Sequence, residues 1–512
     1  MTTMKTIKFA LFSIFCLLLL MPRVNAQEKS DSAYLFEIFS KEQAKADIDA
    51  IVKNVEDIHP NPYAYTSEKE IKEYANTIKN KLKDSINRIE FYRLVVPLIV
   101  RYGDGHIQSD FIALTNKYIS YCITHNIGMF PFSVLEHGKK IFVNISIFDN
   151  LSIRSGDEIK AINNIPVNVI LETCCHYLSG ESNYPKISKI CSNAFMIYLA
   201  FVYDFKDSFN VSYISQSNNK EYNISIPGAK LSDFTNYNNT HTPKWEIYTE
   251  KPIISQEDVF NFSMIKSKPI GYLNFYSFEL DLDKKTEKQV ERKVDTIFCK
   301  LKKEGIKNLI IDIRGNDGGE DYCTELLMSY LTDKKWNWGE AAEMKYSEQQ
   351  KKIYSQFFIK KGFHPFFKLS HTYKEFFKPA NGSIKRVSDE KMKYHVRKSK
   401  FDGNIYVLIG VNKFSSAVTF AAICKCYGIA TLIGKETGGV VQGFTSTMPV
   451  ILSQTKMRIS VSSRKVKNAC GDNYKLGLTP DITVVPEIKD ILDGKDSILK
   501  YTIDLIDKNS NH

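Results

Sequence analysis

The chain has 512 residues, 43% of them hydrophobic, 12% aromatic and 25% charged, a balance that excludes disordered, fibrous and coiled-coil classes and allows roughly two to four domains. Lys and Arg outnumber Asp and Glu by 69 to 58, a formal charge of +11. The excess is spread along the chain, with clusters near Lys351 to Lys361 and Lys385 to Lys400, so it reads as a solvated basic face and speaks against a nucleic-acid partner.

Met1 to Ala26 carries Lys5 and Lys8, an apolar run from Phe9 to Met21, and Val24-Asn25-Ala26 at a cleavage-type spacing. This pattern predicts a secretory signal peptide over 1–26, because the run is shorter than the roughly 20 apolar residues of a spanning helix. An exported protein follows, periplasmic or extracellular, with no stable membrane insertion after cleavage. Without Cys16 an odd set of cysteines remains; Cys299, Cys424 and Cys426 stand in apolar surroundings, where a buried free thiol is expected. With no paired CxxC and no HExxH, neither a metal site nor a cofactor is indicated.

From about Ser40 to Tyr102 the apolar residues recur at helical spacing, as in Ile48, Ile51, Val52, Val55 and Ile58, with a break at His59-Pro60-Asn61-Pro62. A small helical cap over 27–120 is expected, containing Gly103-Asp104-Gly105-His106. Short strands follow around Phe132 to Val134 and Ile141 to Val143, then Ser155-Gly156-Asp157-Glu158-Ile159 running to Ile162-Asn163 and Ile165-Pro166-Val167. This turn, strand and second turn resemble the late strands of a PDZ domain, assigned to 121–185. The resemblance implies capture of an extended peptide by strand addition, with a carboxylate-gripping loop near Ile127-Gly128-Met129-Phe130. A connecting β-rich region is expected over 186–267.

From Ile270 the chain alternates strands with helices: a strand at Gly271 to Leu273, a helix from Glu287 to Lys303, and strands at Leu309 to Ile313, Ile405 to Ile409 and Thr431 to Ile433. Crossovers of this kind build a largely parallel sheet. This α/β core is expected over 268–490, with a Lys- and aromatic-rich insertion at 336–400 that covers a cleft or forms a surface excursion, and a tail over 491–512.

Two turns of the core carry chemistry. Asp312-Ile313-Arg314-Gly315-Asn316-Asp317-Gly318-Gly319-Glu320 runs from a buried strand into a helix beginning near Asp321. Its glycine-rich amides suit an anion, but no Lys-Ser/Thr follows, and Asp317, Glu320 and Asp321 repel a polyphosphate. A transient oxyanion fits better. Phe414-Ser415-Ser416-Ala417 stands at a strand-to-helix turn, where a serine either caps the helix or lies ready at its positive end for nucleophilic chemistry.

Asp312, Arg314, Asn316, Gly318 and Gly319, then Phe414 to Ala417 with Gly434-Lys435-Glu436-Thr437-Gly438-Gly439, then Gly477-Leu478-Thr479-Pro480-Asp481, together resemble the C-terminal-processing, or tail-specific, serine peptidases, including their tricorn-type branch. The resemblance spans about Ile270 to Pro486 and extends to the PDZ-like unit and the cap. It implies a multi-domain α/β (α+β) protein: an N-terminal helical cap, a PDZ-like β-rich domain and a ClpP/crotonase-like peptidase core. Ser415 matches the nucleophile, and the Gly318 and Ser416 N–H groups match the oxyanion donors. The lysine base of many members is replaced by Val440. His106 matches the histidine of the tricorn-type branch and becomes the expected general base, since imidazole titrates near neutral pH. For the third group Tyr474 falls at the branch's glutamate spacing, and Asp472, two residues earlier, is taken instead. The expectation is an exported serine endopeptidase acting on unfolded or C-terminal peptide segments, without a cofactor. The rivals are a catalytically decayed binder of peptides or a hydrophobic ligand on the same fold, and a hydrolase of non-peptide esters.

Overall fold

In the computed structural model the described residues are 31–241, 248–256, 259–280, 284–360, 373–374, 377–387, 396–411, 415–468 and 477–510. The expected signal peptide, Asp472 and Tyr474 lie outside them. The cap is built from the helices Lys41–Ile58, Glu68–Lys81 and Arg88–Arg101, which open on the reciprocal capping pairs Ser40/Gln43, Ser67/Glu70 and Asn87/Glu90. Each pair satisfies amides that the first turn leaves without partners. Ile48, Ile51, Val55 and Ile58 form one fully buried stripe, as their spacing predicts. A further helix, Phe111–Thr124, follows the Gly103 to His106 turn.

An antiparallel sheet comes next, ordered Phe132–His137, Lys140–Ser146, Glu158–Ile162, Ser208–Ile214 and Glu221–Pro227. Its last two strands fall in the region expected only to connect; they complete this sheet by pairing Ile159 with Tyr213 and Ile162 with Val211.

The core sheet has seven strands, in the order Ile254–Gln256, Phe260–Met264, Ile270–Phe275, Asn308–Asp312, Asn404–Ile409, Thr431–Gly434 and Ile482–Thr483. From Ile270–Phe275 onward neighbouring strands are parallel. Helices cover both faces, so the central strands read as unbroken apolar runs and Leu309, Ile310 and Ile311 are fully buried. The tail is largely helical: Ser497–Ser510 packs Ile498, Leu499, Ile503 and Ile506 against Ile310, Leu408 and Ile433. Arg314 ties it to the sheet, bonding Asp312 Oδ2 at 2.7 Å and Asp496 Oδ2 at 2.6 Å.

A third sheet joins the two ends of the chain. It contains Gly339–Lys345, Ile384–Val387, Gly443–Ile451 and Arg458–Asn468, and the two-residue strand Gln108–Ser109 pairs with Arg458–Asn468. The insertion thus contributes strands to a sheet beside the core. The hairpin's tip is pinned to the cap by Asp47, fully buried, whose carboxylate accepts the Gln454 and Thr455 N–H groups at 3.2 and 2.7 Å and the Thr455 hydroxyl at 2.7 Å.

Two of the thiol expectations change. Cys299 is exposed, because its helix Lys284–Lys303 turns Val290, Val294, Ile297, Phe298 and Leu301 inward. Cys426 is disulfide-bonded. Cys424 is a buried free thiol.

Candidate active site

The helix Ser416–Cys426 follows the strand Asn404–Ile409 in the chain, and Ser415 stands at the helix start with φ 52° and ψ −132°. A residue with a β-carbon is rarely held there, at a cost of about 1–3 kcal/mol. Its carbonyl accepts the Val418 and Thr419 N–H groups at 2.9 and 3.2 Å, starting the helix. Its hydroxyl makes no capping bond. The ordinary reason for a serine at this position is therefore missing, and the sharp turn instead presents the side chain to a cavity of about 270 Å³ that it lines together with Ser416. A nucleophile on a strained strand-to-helix turn, at the positive end of a helix, has this backbone shape.

His106 lines the same cavity, although it comes from the cap. The route is visible residue by residue. After the helix Arg88–Arg101, Gly103 turns with φ 79° against Tyr65, where a β-carbon would come within 2.6 Å of the tyrosine Cβ. Gln108 and Ser109 then pair with Ser460 and Ile459, and the Asp110 N–H donates to the Arg458 carbonyl at 3.0 Å. The imidazole is thereby carried to the hairpin that follows Ser415 in the chain.

Asp104, only 2% exposed, organises this turn. Its Oδ1 accepts the His106 backbone N–H at 2.9 Å and lies 3.8 Å from His106 Nδ1. Oδ2 accepts the Ser462 hydroxyl at 2.5 Å and bonds His59 Nε2 at 3.1 Å. Since His59 Nδ1 accepts the Asn61 N–H at 3.1 Å, its proton sits on Nε2 and points at Asp104. Burial lowers the His106 pKa and the Asp104 carboxylate raises it; the net direction is downward, which favours the neutral, proton-accepting imidazole. Close by, Glu181 Oε1 accepts the Gly105 N–H at 3.0 Å, and burial pushes its carboxyl up to about 7.

The other expected residues are placed differently. Gly318 does not line the cavity, and its N–H donates to Asn316 Oδ1 at 2.9 Å. Ser416 is buried at the helix start beside Ser415. Val440 lines the cavity, so an aliphatic wall stands where the resemblance implies a lysine base. The carboxylate-gripping loop at Ile127 to Phe130 is a correction: its Ile127, Gly128 and Met129 N–H groups already donate to the Cys122 carbonyl, Asp207 Oδ1 and the Ala229 carbonyl, each at 2.8 Å. Amides spent on the fold have nothing left for a ligand. Asp104, which sequence reasoning quoted only as part of the histidine's motif, is the acid the structure sets beside His106. Among the described residues no group of three or more metal-ligating side chains occurs, and no helix is long and apolar enough to cross a membrane.

The model of peptidase family S41 matches residues 269–484, the stretch that holds the parallel sheet, the glycine turn and Ser415. No curated protein matches the chain in sequence. Among solved structures, mature CPAF complexed with lactacystin superposes with a TM-score of 0.60 at 14% identity, covering 91% of this chain and 97% of that one. Mature CPAF by itself gives 0.59 at 14% identity, with 90% and 95% covered. At that identity the likeness shows the fold, and it extends through the cap and the antiparallel sheet as well as the core. The match of residues 269–484 to peptidase family S41 supports the resemblance to the C-terminal-processing serine peptidases.

Proposed function

We propose that this chain is an active, exported serine endopeptidase that cuts unfolded or C-terminal peptide segments through an acyl-enzyme on Ser415. The observation that carries the reading is the shared cavity of Ser415 and His106: a strained serine without a capping bond and a histidine from the opposite end of the chain line one space. His106 accepts the Ser415 proton as the hydroxyl attacks the scissile carbonyl, and the leaving amine then takes that proton. Asp104 beside Nδ1 favours the imidazolium formed in between, leaving Nε2 for the hydroxyl. The Ser416 N–H and the helix start stabilise the oxyanion. Gly318 N–H joins them only after exchanging its bond to Asn316 for one to substrate. Water then attacks the acyl ester, His106 accepts its proton and passes it to the Ser415 oxygen as the ester bond breaks, and the acid product leaves. No cofactor is required.

The segment over 121–185 is proposed as a PDZ-like unit that captures the substrate strand at a sheet edge. The cap is assigned to 27–120 and the peptidase core to 268–490. Export is supported by the signal-type pattern over 1–26 and by the disulfide at Cys426, a bond that persists in oxidising compartments.

The second reading, a decayed peptide binder, is favoured by Val440 in the lysine position and by the engaged Gly318 amide. A fluorophosphonate probe separates the two. Labelling that disappears in both Ser415→Ala and His106→Ala supports the peptidase; a folded wild type that resists the probe supports the binder.

A further inference from the structure

Gly105, the residue before His106, also lines a second cavity, of about 120 Å³. Val411, four residues before Ser415, and Gly438 line it too, so this space touches both segments of the catalytic pair. Its walls include Val96, Val100, Phe111 and Leu178, and Lys186 and Lys189 supply cationic groups. Lys186 is only 8% exposed. Its stem crosses Gly180, where a β-carbon would meet its Cε at 3.2 Å.

A lysine so deeply buried normally has a carboxylate partner. Among the described residues none forms an ion pair with the Lys186 ammonium. Glu181, the acid close enough to act on it electrostatically, keeps one oxygen on the Gly105 N–H. Burial lowers the Lys186 pKa, while Cys175 and Glu181 oppose that shift.

An ammonium in a small, mostly apolar pocket is the complement of a carboxylate on a short stem. The pocket has room for about one side chain, and its cationic lining disfavours a metal ion. We infer that this cavity is a subsite for a carboxylate of the peptide substrate, either an acidic side chain or the free C-terminus, and that Lys186 sets the preference. The inference rests on the reading of Ser415 and His106 as the peptidase pair. It also gives a carboxylate a seat other than the Ile127, Gly128 and Met129 amides, which are already occupied.

The test uses the full mature chain carrying Ser415→Ala, so that bound peptide is not consumed, and fluorescence anisotropy with labelled peptides of one neutral sequence. One set exchanges Glu for Gln at successive positions; the other exchanges a free C-terminus for a carboxamide. The expected result is tighter binding of the carboxylate member in one set, on the order of tenfold, and the set that responds identifies the source of the group. Lys186→Met removes the difference and Lys186→Arg, which keeps the charge, retains most of it; thermal melts check that both variants fold. Equal affinities in both sets, no peptide binding at all, or a preference that survives Lys186→Met overturns the inference. Fluorophosphonate labelling of the wild type is read separately, so an inert Ser415 counts against the catalytic reading and leaves the carboxylate preference measurable.

Discussion

Replacing Asp104 with Asn changes one oxygen to an NH2 group and removes a buried charge, and the structure sets the size of the effect. The carboxylate receives three donors, the His106 N–H, the Ser462 hydroxyl and His59 Nε2. An amide offers only one oxygen to them, so at least one donor meets another donor. In catalysis the larger loss is electrostatic. With Oδ1 3.8 Å from His106 Nδ1, Coulomb's law at an effective dielectric near 20 gives about 4 kcal/mol for the carboxylate with the imidazolium. That corresponds to a fall in kcat on the order of 10³-fold. The pH profile provides a second readout. Asp104 raises the His106 pKa against the lowering by burial, so removing it moves the acid limb of kcat/KM to lower pH than in the wild type, where the limb already lies below the ordinary value of about 6.5. Steady-state hydrolysis of a casein-like substrate across pH 4 to 8, on protein titrated for active sites, measures both. A kcat within threefold of wild type, or an acid limb that stays in place, would refute the assignment of Asp104 as the orienting acid.

Other consequences follow from the same neighbourhood. Glu181 has its carboxyl raised from 4.5 to about 7, so the folded state favours the protonated form: stability is greatest below pH 4.5 and declines as pH rises through 7. Glu181→Gln keeps an oxygen for the Gly105 N–H and removes the dependence, so urea unfolding should find the variant more stable than wild type by about 2–3 kcal/mol at pH 8 and nearly equal at pH 4.5; a gap that does not change with pH contradicts this. Asp47→Ala strips the Gln454 and Thr455 donors of their acceptor, with an expected loss of about 2–4 kcal/mol in denaturant unfolding and faster hydrogen exchange at the hairpin tip. An unchanged exchange rate there contradicts the pinning role. Gly319→Ala forces a β-carbon to within 2.2 Å of the Phe278 carbonyl carbon at φ 138°, and calorimetry should record a lower midpoint together with slower probe labelling of Ser415.

Much of this architecture is readable from local signals. Capping pairs such as Ser67 with Glu70 announce the cap helices, and the unbroken apolar run Leu309 to Ile311 announces a central parallel strand. The strand-turn-helix around Ser415 is equally plain, but its φ of 52° is not, since nothing in a Ser-Ser pair distinguishes a capping serine from a strained one. Asp104 escaped because its partners His59 and Ser462 are set by tertiary pairing. The connection runs through Gln108–Ser109, a strand too short to have a period. The occupied amide of Gly318 is different: Asn316 two residues earlier is the sequence of a local side-chain turn, and that signal was present. Cys299 was legible too, because helical spacing from Val294 and Ile297 turns it outward.

The placement of the proposed base has a mechanical consequence. His106 belongs to the cap by sequence, yet it is held by the Arg458–Asn468 strand through Gln108, Ser109 and Asp104, while the adjoining tip of the same hairpin is anchored in the cap by Asp47. The hairpin is thus bound to the cap at two points and follows Ser415's helix and strand in the core. Ser415 is held by the parallel sheet, whose glycine turn is braced by Arg314 against Asp312 and the C-terminal helix. Distance between the two groups therefore depends on how the hairpin sits on the core, and disturbance at Asp47 reaches the imidazole without touching the cavity. For the same reason activity should fail before global unfolding when the cap is loosened: the base leaves with the hairpin while the core, buried around Leu309 to Ile311, still holds the serine.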